Sequence, residues 1–108
     1  MTVLVVDDEP VARRVLCEEL EILPGAEIVG EAENGVDALA KIAHLKPDLV
    51  FLDLQMPLLT GLEVLRNLAG SPLPIVVIVT AYSQHATEAL ECGAAGYLLK
   101  PVDRESVV

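Results

Sequence analysis

The sequence predicts an α/β fold: a doubly wound, five-stranded parallel sheet with helices on both faces. Residues 3–6, 49–52 and 75–79 are apolar runs rich in β-branched side chains, as expected for fully buried parallel strands. Two weaker runs, 27–31 and 96–99, fit strands at the edges of the sheet. Helical patterns lie between these runs, so strand and helix alternate through short connections, which favours right-handed crossovers.

The first two helices have clear start and stop signals. Pro10 is a favourable first-turn residue, and Pro24 with Gly25 stops the first helix. Asn34 can cap the second helix, which we expect to continue until Pro47. Apolar residues recur at helical spacing in both: Ala12, Leu16, Leu20 and Leu23 in the first, and Val36, Leu39, Ala40, Ile42 and Ala43 in the second.

The later helices are shorter or less apolar. The third should begin at about Gly61 and end at residues 70–72, and the fourth should span about 83–92 with Gly93 as terminator. Their predicted inner faces are Leu62, Leu65 and Leu68 in the third helix, and Ala86, Ala89 and Leu90 in the fourth. The fourth helix should therefore pack weakly. Asp103 could cap a fifth helix of about one turn, so we expect this last helix to be incomplete and the natural protein to continue.

Composition limits the functions that this chain can have. Its 108 residues fit one domain, 1–108, and no apolar stretch approaches the roughly 20 residues of a membrane-spanning helix. The net charge of −10 argues against direct binding of nucleic acid, which requires clustered Lys and Arg. Cys17 and Cys92 are far apart in sequence, and we expect both to be reduced, small hydrophobic residues in a cytoplasmic protein.

Polar residues follow the predicted strands at their carboxyl ends, where ligands bind in such sheets. Asp7 and Asp8 follow the first strand, Asp53 the third, Thr80 the fourth and Lys100 the fifth. Each residue alone could be an ordinary helix cap, turn or strand-end residue. Together at one rim, three carboxylates would repel one another unless a cation lay among them. The lysine supplies one positive charge, and oxygen ligands open to solvent suit Mg²⁺.

Four segments resemble the receiver domains of two-component response regulators. They are VVDDEP at residues 5–10, PDLVFLDLQMP at 47–57, VTA at 79–81 and GYLLKP at 96–101. The segments occur in family order and span the chain. The resemblance implies a flavodoxin-like strand order, 2-1-3-4-5, and a signalling switch that is activated by phosphorylation rather than a conventional turnover enzyme.

The resemblance also implies chemical roles at the matching positions. Asp53 would accept a phosphoryl group from a sensor histidine kinase. Asp8, Asp53 and the backbone carbonyl of Gln55 would ligate Mg²⁺, and Asp7 would act through a bound water. Lys100 would pair with the acceptor and then with the phosphoryl oxygens.

Further implied roles concern the output of the switch. Thr80 would hydrogen-bond the phosphoryl group, Tyr97 would be the aromatic switch residue, and the bond before Pro101 would be cis. The fourth helix, fifth strand and last helix would form the usual partner face, through which a homodimer could form. Residues 10–14 and 80–86 resemble the receivers of LytR/AlgR-type transcription regulators, which carry a C-terminal DNA-binding output domain.

Some features depart from the family or suggest other functions. Thr60 stands where many relatives have an acidic residue, but it can still cap the next helix. Gln55 and Tyr82 lie at positions that vary in the family. A phosphatase of the haloacid-dehalogenase type would usually have a second Asp in place of Gln55. A receiver-like interaction module would tend to lack the acceptor, an acid or the lysine, and a nucleotide-binding domain would have a glycine-rich phosphate loop.

Overall fold

Strands and helices alternate along the chain as the hydrophobic pattern predicts. The computed structural model describes residues 1–56, 58–68, 74–81 and 86–99. Within these residues the elements are β1 (Thr2–Val6), α1 (Pro10–Ile22), β2 (Glu27–Ala32), α2 (Gly35–Leu45), β3 (Leu49–Leu52), α3 (Gly61–Leu68), β4 (Ile75–Thr80), α4 (Ala86–Glu91) and β5 (Gly96–Leu99). Among the described residues, no helix is long and apolar enough to cross a membrane.

The five strands form one parallel sheet in the order β2-β1-β3-β4-β5, which confirms the predicted fold class. The strand β3 is central, and the two weaker runs are the edge strands. Val6 at the end of β1 pairs with Ala32 on β2 and with Leu52 on β3, and Leu52 pairs with Ile78 on β4. The carboxyl ends of three adjacent strands therefore finish at nearly the same level.

Alternate residues of the central strands face two separate hydrophobic clusters. One lies on the side of α2, α3 and α4 and includes Leu4, Val6, Val50, Leu52 and Ile78. The other lies on the side of α1 and includes Val3, Val5, Phe51, Val79, Leu16 and Leu20. Burial of each such aliphatic side chain contributes about 1.5–3 kcal/mol, so these contacts fix the strand register.

The helix ends are as expected where the structure describes them. Pro10 is the first residue of α1, and the side chain of Asn34 accepts a hydrogen bond from the N–H of Asp37 at 2.8 Å. Thr60 and Glu63 form a reciprocal capping box at the start of α3, with hydrogen bonds of 3.1–3.3 Å. Gly93 ends α4 with φ +111°, a backbone conformation that favours glycine.

The predicted inner face of α2 was partly wrong: Ile42 and Leu39 lie in or against the core as predicted, but Val36, Ala40 and Ala43 do not. In α2 the buried residues are Gly35, Ala38 and Ile42, and Val36 is 52% exposed because it lies about 100° around the helix from that face. Ala40 and Ala43 are likewise exposed.

In α3 the predicted inner face is confirmed, because Leu65 is buried and Leu62 and Leu68 pack against the core, but the pattern missed the fully buried Val64. The fourth helix shows an error of one position. In α4 Ala89 is buried but Leu90 is exposed. The predicted start of α4, the predicted end of α3 at 70–72, and the fifth helix lie outside the described residues.

Candidate functional site

Three aspartates converge at the carboxyl ends of β1 and β3. Asp7 and Asp53 directly follow the paired residues Val6 and Leu52, so they leave neighbouring strands at the same level. The N–H of Asp53 donates to the carbonyl of Val6 at 3.0 Å, which extends the ladder into the site. One carboxylate oxygen from each of Asp7, Asp8 and Asp53 lies within 4.8 Å of the others. The structure thus brings together the three acids that the strand-end pattern predicted to meet.

Local hydrogen bonds orient the two carboxylates that belong to the strand ends. Oδ1 of Asp7 accepts from the N–H of Glu9 at 2.9 Å, and Oδ1 of Asp53 accepts from the N–H of Gln55 at 3.1 Å. Both are bonds to the backbone two residues on, a geometry typical of Asp in turns. The alternative role of the first acid pair as a helix cap is not observed, because Glu9 holds the N-cap position of α1.

Burial differs among the three acids. Asp7 is 5% exposed and Asp53 is 4% exposed, whereas Asp8 is exposed to solvent. At an effective dielectric constant of about 20, two full charges at this separation repel by roughly 3 kcal/mol. A cation bound among the carboxylates would remove that repulsion.

The donor set fits a hard divalent cation. All three side chains offer oxygen, and the exposed position of Asp8 leaves one side of the cluster open to water. Mg²⁺ binds to a few carboxylates and retains several waters, so it suits this geometry better than a metal that requires nitrogen or sulfur ligands. Gln55, whose carbonyl is the further predicted ligand, follows Asp53 by two residues, and its side chain points to solvent.

The other predicted site residues are only partly described. Thr80 is the last residue of β4, next to the central strand, and is 1% exposed. Tyr97 on β5 is 44% exposed, so its ring lies largely outside the core. Lys100 and Pro101, together with the variable Tyr82, lie outside the described residues.

Two glycines, Gly35 and Gly61, to which the sequence analysis gave no packing role, shape the loop after Asp53. A Cβ atom at Gly61 would lie 2.4 Å from the carbonyl oxygen of Asp53, and one at Gly35 would lie 2.3 Å from the carbonyl oxygen of Leu59. Both glycines directly follow the capping residue of a helix, Asn34 or Thr60. Glycine in place of a better helix former at that position is the signal that could have identified them.

Arg13 is a further residue that the sequence analysis missed. Its Nη1 donates to the backbone carbonyl of Asp7 at 2.7 Å, and its Nε lies 3.3 Å from a carboxylate oxygen of Glu31. The first of these contacts is therefore to the backbone of the acid pair and not to a carboxylate. Its position one helical turn after the start of α1 carried no distinctive pattern.

Two groups elsewhere in the molecule, Cys17 and Asp48, have shifted pKa values. Burial, together with the negative charge of Glu31 and Glu21, raises the pKa of the Cys17 thiol to about 11. Cys17 and Cys92 are both free thiols. At the opposite end of the sheet, hydrogen bonds from Thr2 lower the pKa of the Asp48 carboxyl.

Sequence comparisons cover nearly the whole chain. The family model described as "Response regulator receiver domain" matches residues 3–108. An uncharacterized response regulatory protein of Vibrio parahaemolyticus is 52% identical over 103 residues, which are 95% of this chain and 43% of that protein. The transcriptional regulatory protein BtsR of Escherichia coli is 45% identical over 101 residues, 94% of this chain and 42% of that protein. The chain thus spans less than half the length of these curated relatives.

Solved structures share the same fold. The receiver domain of the response regulator NarL from Mycobacterium tuberculosis matches with a TM-score of 0.90 and 34% identity, covering 99% of this chain and 89% of that one. The CheX–CheY–BeF₃–Mg²⁺ complex of Borrelia burgdorferi matches with a TM-score of 0.89 and 28% identity, covering 99% and 83%. These likenesses confirm the flavodoxin-like strand order. Because the family model extends from residue 3 to residue 108, the chain belongs to the response regulator receiver domain family.

Proposed function

We propose that this receiver domain is a phosphorylation switch, and that Asp53 is its phosphoacceptor. The observation that carries the proposal is the position of Asp53: a buried carboxylate, oriented by the N–H of Gln55, within 4.8 Å of two further carboxylates. A member of this family is not a conventional metabolic enzyme. The three carboxylates suit the reversible transfer of one phosphoryl group to Asp53.

The proposed transfer is a displacement at phosphorus. A carboxylate oxygen of Asp53 attacks the phosphorus of a phosphohistidine on a sensor histidine kinase, the P–N bond breaks, and the imidazole nitrogen keeps the electron pair. Water later hydrolyses the resulting acyl phosphate and restores the carboxylate. The protein contributes mainly position and electrostatics, as in other phosphoryl transfers.

The charge that gathers on the phosphoryl oxygens has to be neutralised. Mg²⁺ held by Asp8, Asp53 and the carbonyl of Gln55, with Asp7 acting through water, would supply most of that positive charge. Lys100, which follows β5, would supply the rest. The oxygen-only donor set supports this choice of ion, and a solved neighbour is itself a complex with Mg²⁺.

The proposed output is a shift between two conformations. The phosphoryl group brings about −1.5 to −2 charge to the rim, and the hydroxyl of Thr80 can donate to it in only one of the two. Tyr97 would turn inward in that conformation. The helix α4 would follow at little cost, because Leu90 is exposed and its ion pair to α3, Arg66–Glu88 at 3.5 Å, lies at the surface.

The whole protein would be a cytoplasmic regulator with an output domain beyond this receiver. We propose an output domain of the DNA-binding LytR/AlgR type. The Escherichia coli relative BtsR is a transcriptional regulatory protein, which supports a role in transcription. Receiver dimers could form through α4, β5 and the last helix. The exposed Tyr97 and Leu99 on β5 would contribute apolar area to that interface.

Intact mass spectrometry after incubation with acetyl phosphate and Mg²⁺ tests the acceptor. The chain should gain one phosphoryl group, Asp53→Asn should gain none, and Asp37→Asn, a control on α2, should behave as the natural chain does. Modification that persists in Asp53→Asn would refute the assignment. No modification of the natural chain would favour an interaction module, and rapid turnover of p-nitrophenyl phosphate would favour the haloacid-dehalogenase type.

A second experiment separates modification from output. Lys100→Ala should still accept the phosphoryl group but should fail to couple it to the response. Unchanged signalling in that variant would contradict the role proposed for the lysine.

A further inference from the structure

We infer that Arg13 is a positioning residue for the divalent cation: its guanidinium fixes the peptide that joins Asp7 to Asp8. The inference rests on the proposed function and deepens it. Nη1 of Arg13 donates to the carbonyl oxygen of Asp7 at 2.7 Å. That carbonyl is part of the planar peptide between the two acids, so its orientation also fixes the N–H and Cα of Asp8.

The remaining polar groups of Asp7 are held by other elements. Its N–H donates to the carbonyl of Ala32 at the end of β2, and its carboxylate accepts from the N–H of Glu9. Its carbonyl is held by a side chain from α1, that of Arg13. Asp8 is exposed, so its carboxylate takes its position from this backbone rather than from burial in the core.

Arg13 is itself held firmly enough to act in this way. Its side chain is 17% exposed, and its Nε lies 3.3 Å from Oε1 of Glu31 on β2. Its own N–H donates to the carbonyl of Glu9 at 3.0 Å in the first turn of α1. The guanidinium thus spans from the end of β2 to the turn that carries both acids.

The charge of Arg13 and its geometry have opposite effects on a bound cation. A guanidinium near the acids repels Mg²⁺, so loss of the charge alone should strengthen Mg²⁺ binding slightly. Loss of the hydrogen bond to the Asp7 carbonyl should weaken it, because Asp8 is then free to rotate away. Since this hydrogen bond is to a carbonyl, it does not itself occupy a carboxylate oxygen. The sign of the change therefore separates positioning from simple electrostatics.

Isothermal titration of the whole chain with Mg²⁺ measures that sign. Arg13→Met should weaken Mg²⁺ binding by about ten-fold, the usual size for a group that orients a metal ligand. Arg13→Lys, which keeps the charge and one donor, should recover affinity to within about three-fold of the natural chain. Two controls accompany these variants. Arg14→Met removes the same charge from an exposed neighbour, and Glu31→Gln removes the ion pair of Arg13 with Glu31 but keeps the hydrogen bond to Asp7. Each control should change the affinity for Mg²⁺ by less than about two-fold.

The outcomes distinguish this inference from the proposed function. If Arg13→Met binds Mg²⁺ as tightly as the natural chain, or more tightly, the positioning role is wrong even where Asp53 accepts a phosphoryl group. If the ten-fold loss and the lysine rescue are found but acetyl phosphate modifies nothing, the positioning role holds and the proposed function fails. A natural chain that binds no Mg²⁺ overturns both. Arg13→Gln, shorter and neutral, should show the same loss and replaces the methionine variant if thermal melting shows that variant unfolded.

Discussion

One methyl group added at Gly61 should displace the start of α3 from Asp53, the proposed phosphoacceptor. A Cβ atom there would lie 2.4 Å from the carbonyl oxygen of Asp53 and 2.7 Å from the Cα of Leu54. Ordinary van der Waals contact begins at 3.4 Å, so the two backbone segments must separate by about 1 Å. Both neighbours are backbone atoms, and rotation of a side chain therefore cannot relieve the contact.

The expected loss can be estimated from this overlap. Overpacking costs about 1–3 kcal/mol, and contact with backbone atoms places this case at the upper end, about 3 kcal/mol. The better helix propensity of alanine offsets at most about 1 kcal/mol of that cost. A net loss of about 2 kcal/mol lowers the melting temperature of a domain of this size by about 10 °C. The hydrogen bond of 2.9 Å from the N–H of Gly61 to the carbonyl of Leu54 transmits the shift to the acceptor loop. Misplacement by 1 Å can slow a reaction by about 100-fold, so phosphorylation by acetyl phosphate should slow by that order.

Calorimetry and the time course of phosphorylation measure both effects, with Gly96→Ala as the matched control. A Cβ at Gly96 on β5 meets no atom within 4 Å, so that variant should melt and react as the natural chain does. If Gly61→Ala keeps the natural melting temperature and the natural rate, the close approach of α3 to Asp53 is not required for either folding or chemistry.

Three other perturbations test separate parts of the molecule. In EDTA, Asp8→Asn should have a higher melting temperature than the natural chain, because the substitution relieves repulsion. Mg²⁺ should raise the melting temperature of the natural chain but not that of Asp8→Asn. An equal rise with Mg²⁺ in the two proteins would contradict the metal site. Asp48 has a folded pKa below its usual 3.8, so its stabilisation is complete above that value and is lost as the pH falls through the lowered folded pKa. Urea unfolding between pH 7 and pH 2 should therefore show that Asp48→Ala is less stable at neutral pH and less sensitive to acid, and equal acid sensitivity would refute this. The pKa of Cys17 is about 11 against an ordinary 9.0, so Cys17 has about 100-fold less thiolate than a free thiol. In the Cys92→Ala variant, which leaves Cys17 as the thiol that reacts, a disulfide reagent should therefore react slowly. Reaction at the rate of a free thiol would contradict the burial of Cys17.

The parallel sheet and the convergence of the acids could be predicted because both depend on local patterns, whereas the strand order came from the resemblance to receiver domains. An apolar run with a terminal Asp identifies a buried strand and its exit, and parallel pairing brings such exits to one rim. The inner faces of the helices were less predictable. Val36 and Leu90 are apolar yet exposed, because the core accepts the smaller Gly35 and Ala89 at neighbouring positions.

The contacts that the sequence could not reveal join segments that are distant along the chain. Gly35 is required because a Cβ atom there would clash with the backbone of Leu59, and Arg13 is important because it donates a hydrogen bond to the carbonyl of Asp7. Arginine is an ordinary helix residue, and a glycine after a helix cap indicates a close approach without identifying the partner segment. Such contacts depend on how closely two backbones approach, and hydrophobic periodicity carries no information about that distance.

The geometry of the acid cluster follows from the same register that fills the core. Asp7 and Asp53 are the residues after Val6 and Leu52, which pair with each other and are 2% and 0% exposed. A slip of one residue would turn those side chains to the other face of the sheet and separate the acids. Burial of the two side chains is worth about 1.5–3 kcal/mol each, which is of the same order as the roughly 3 kcal/mol of repulsion between the carboxylates. The register that fills the core therefore opposes the repulsion between the two buried acids, whereas the exposed Asp8 lies outside the core and takes its position from the turn after β1.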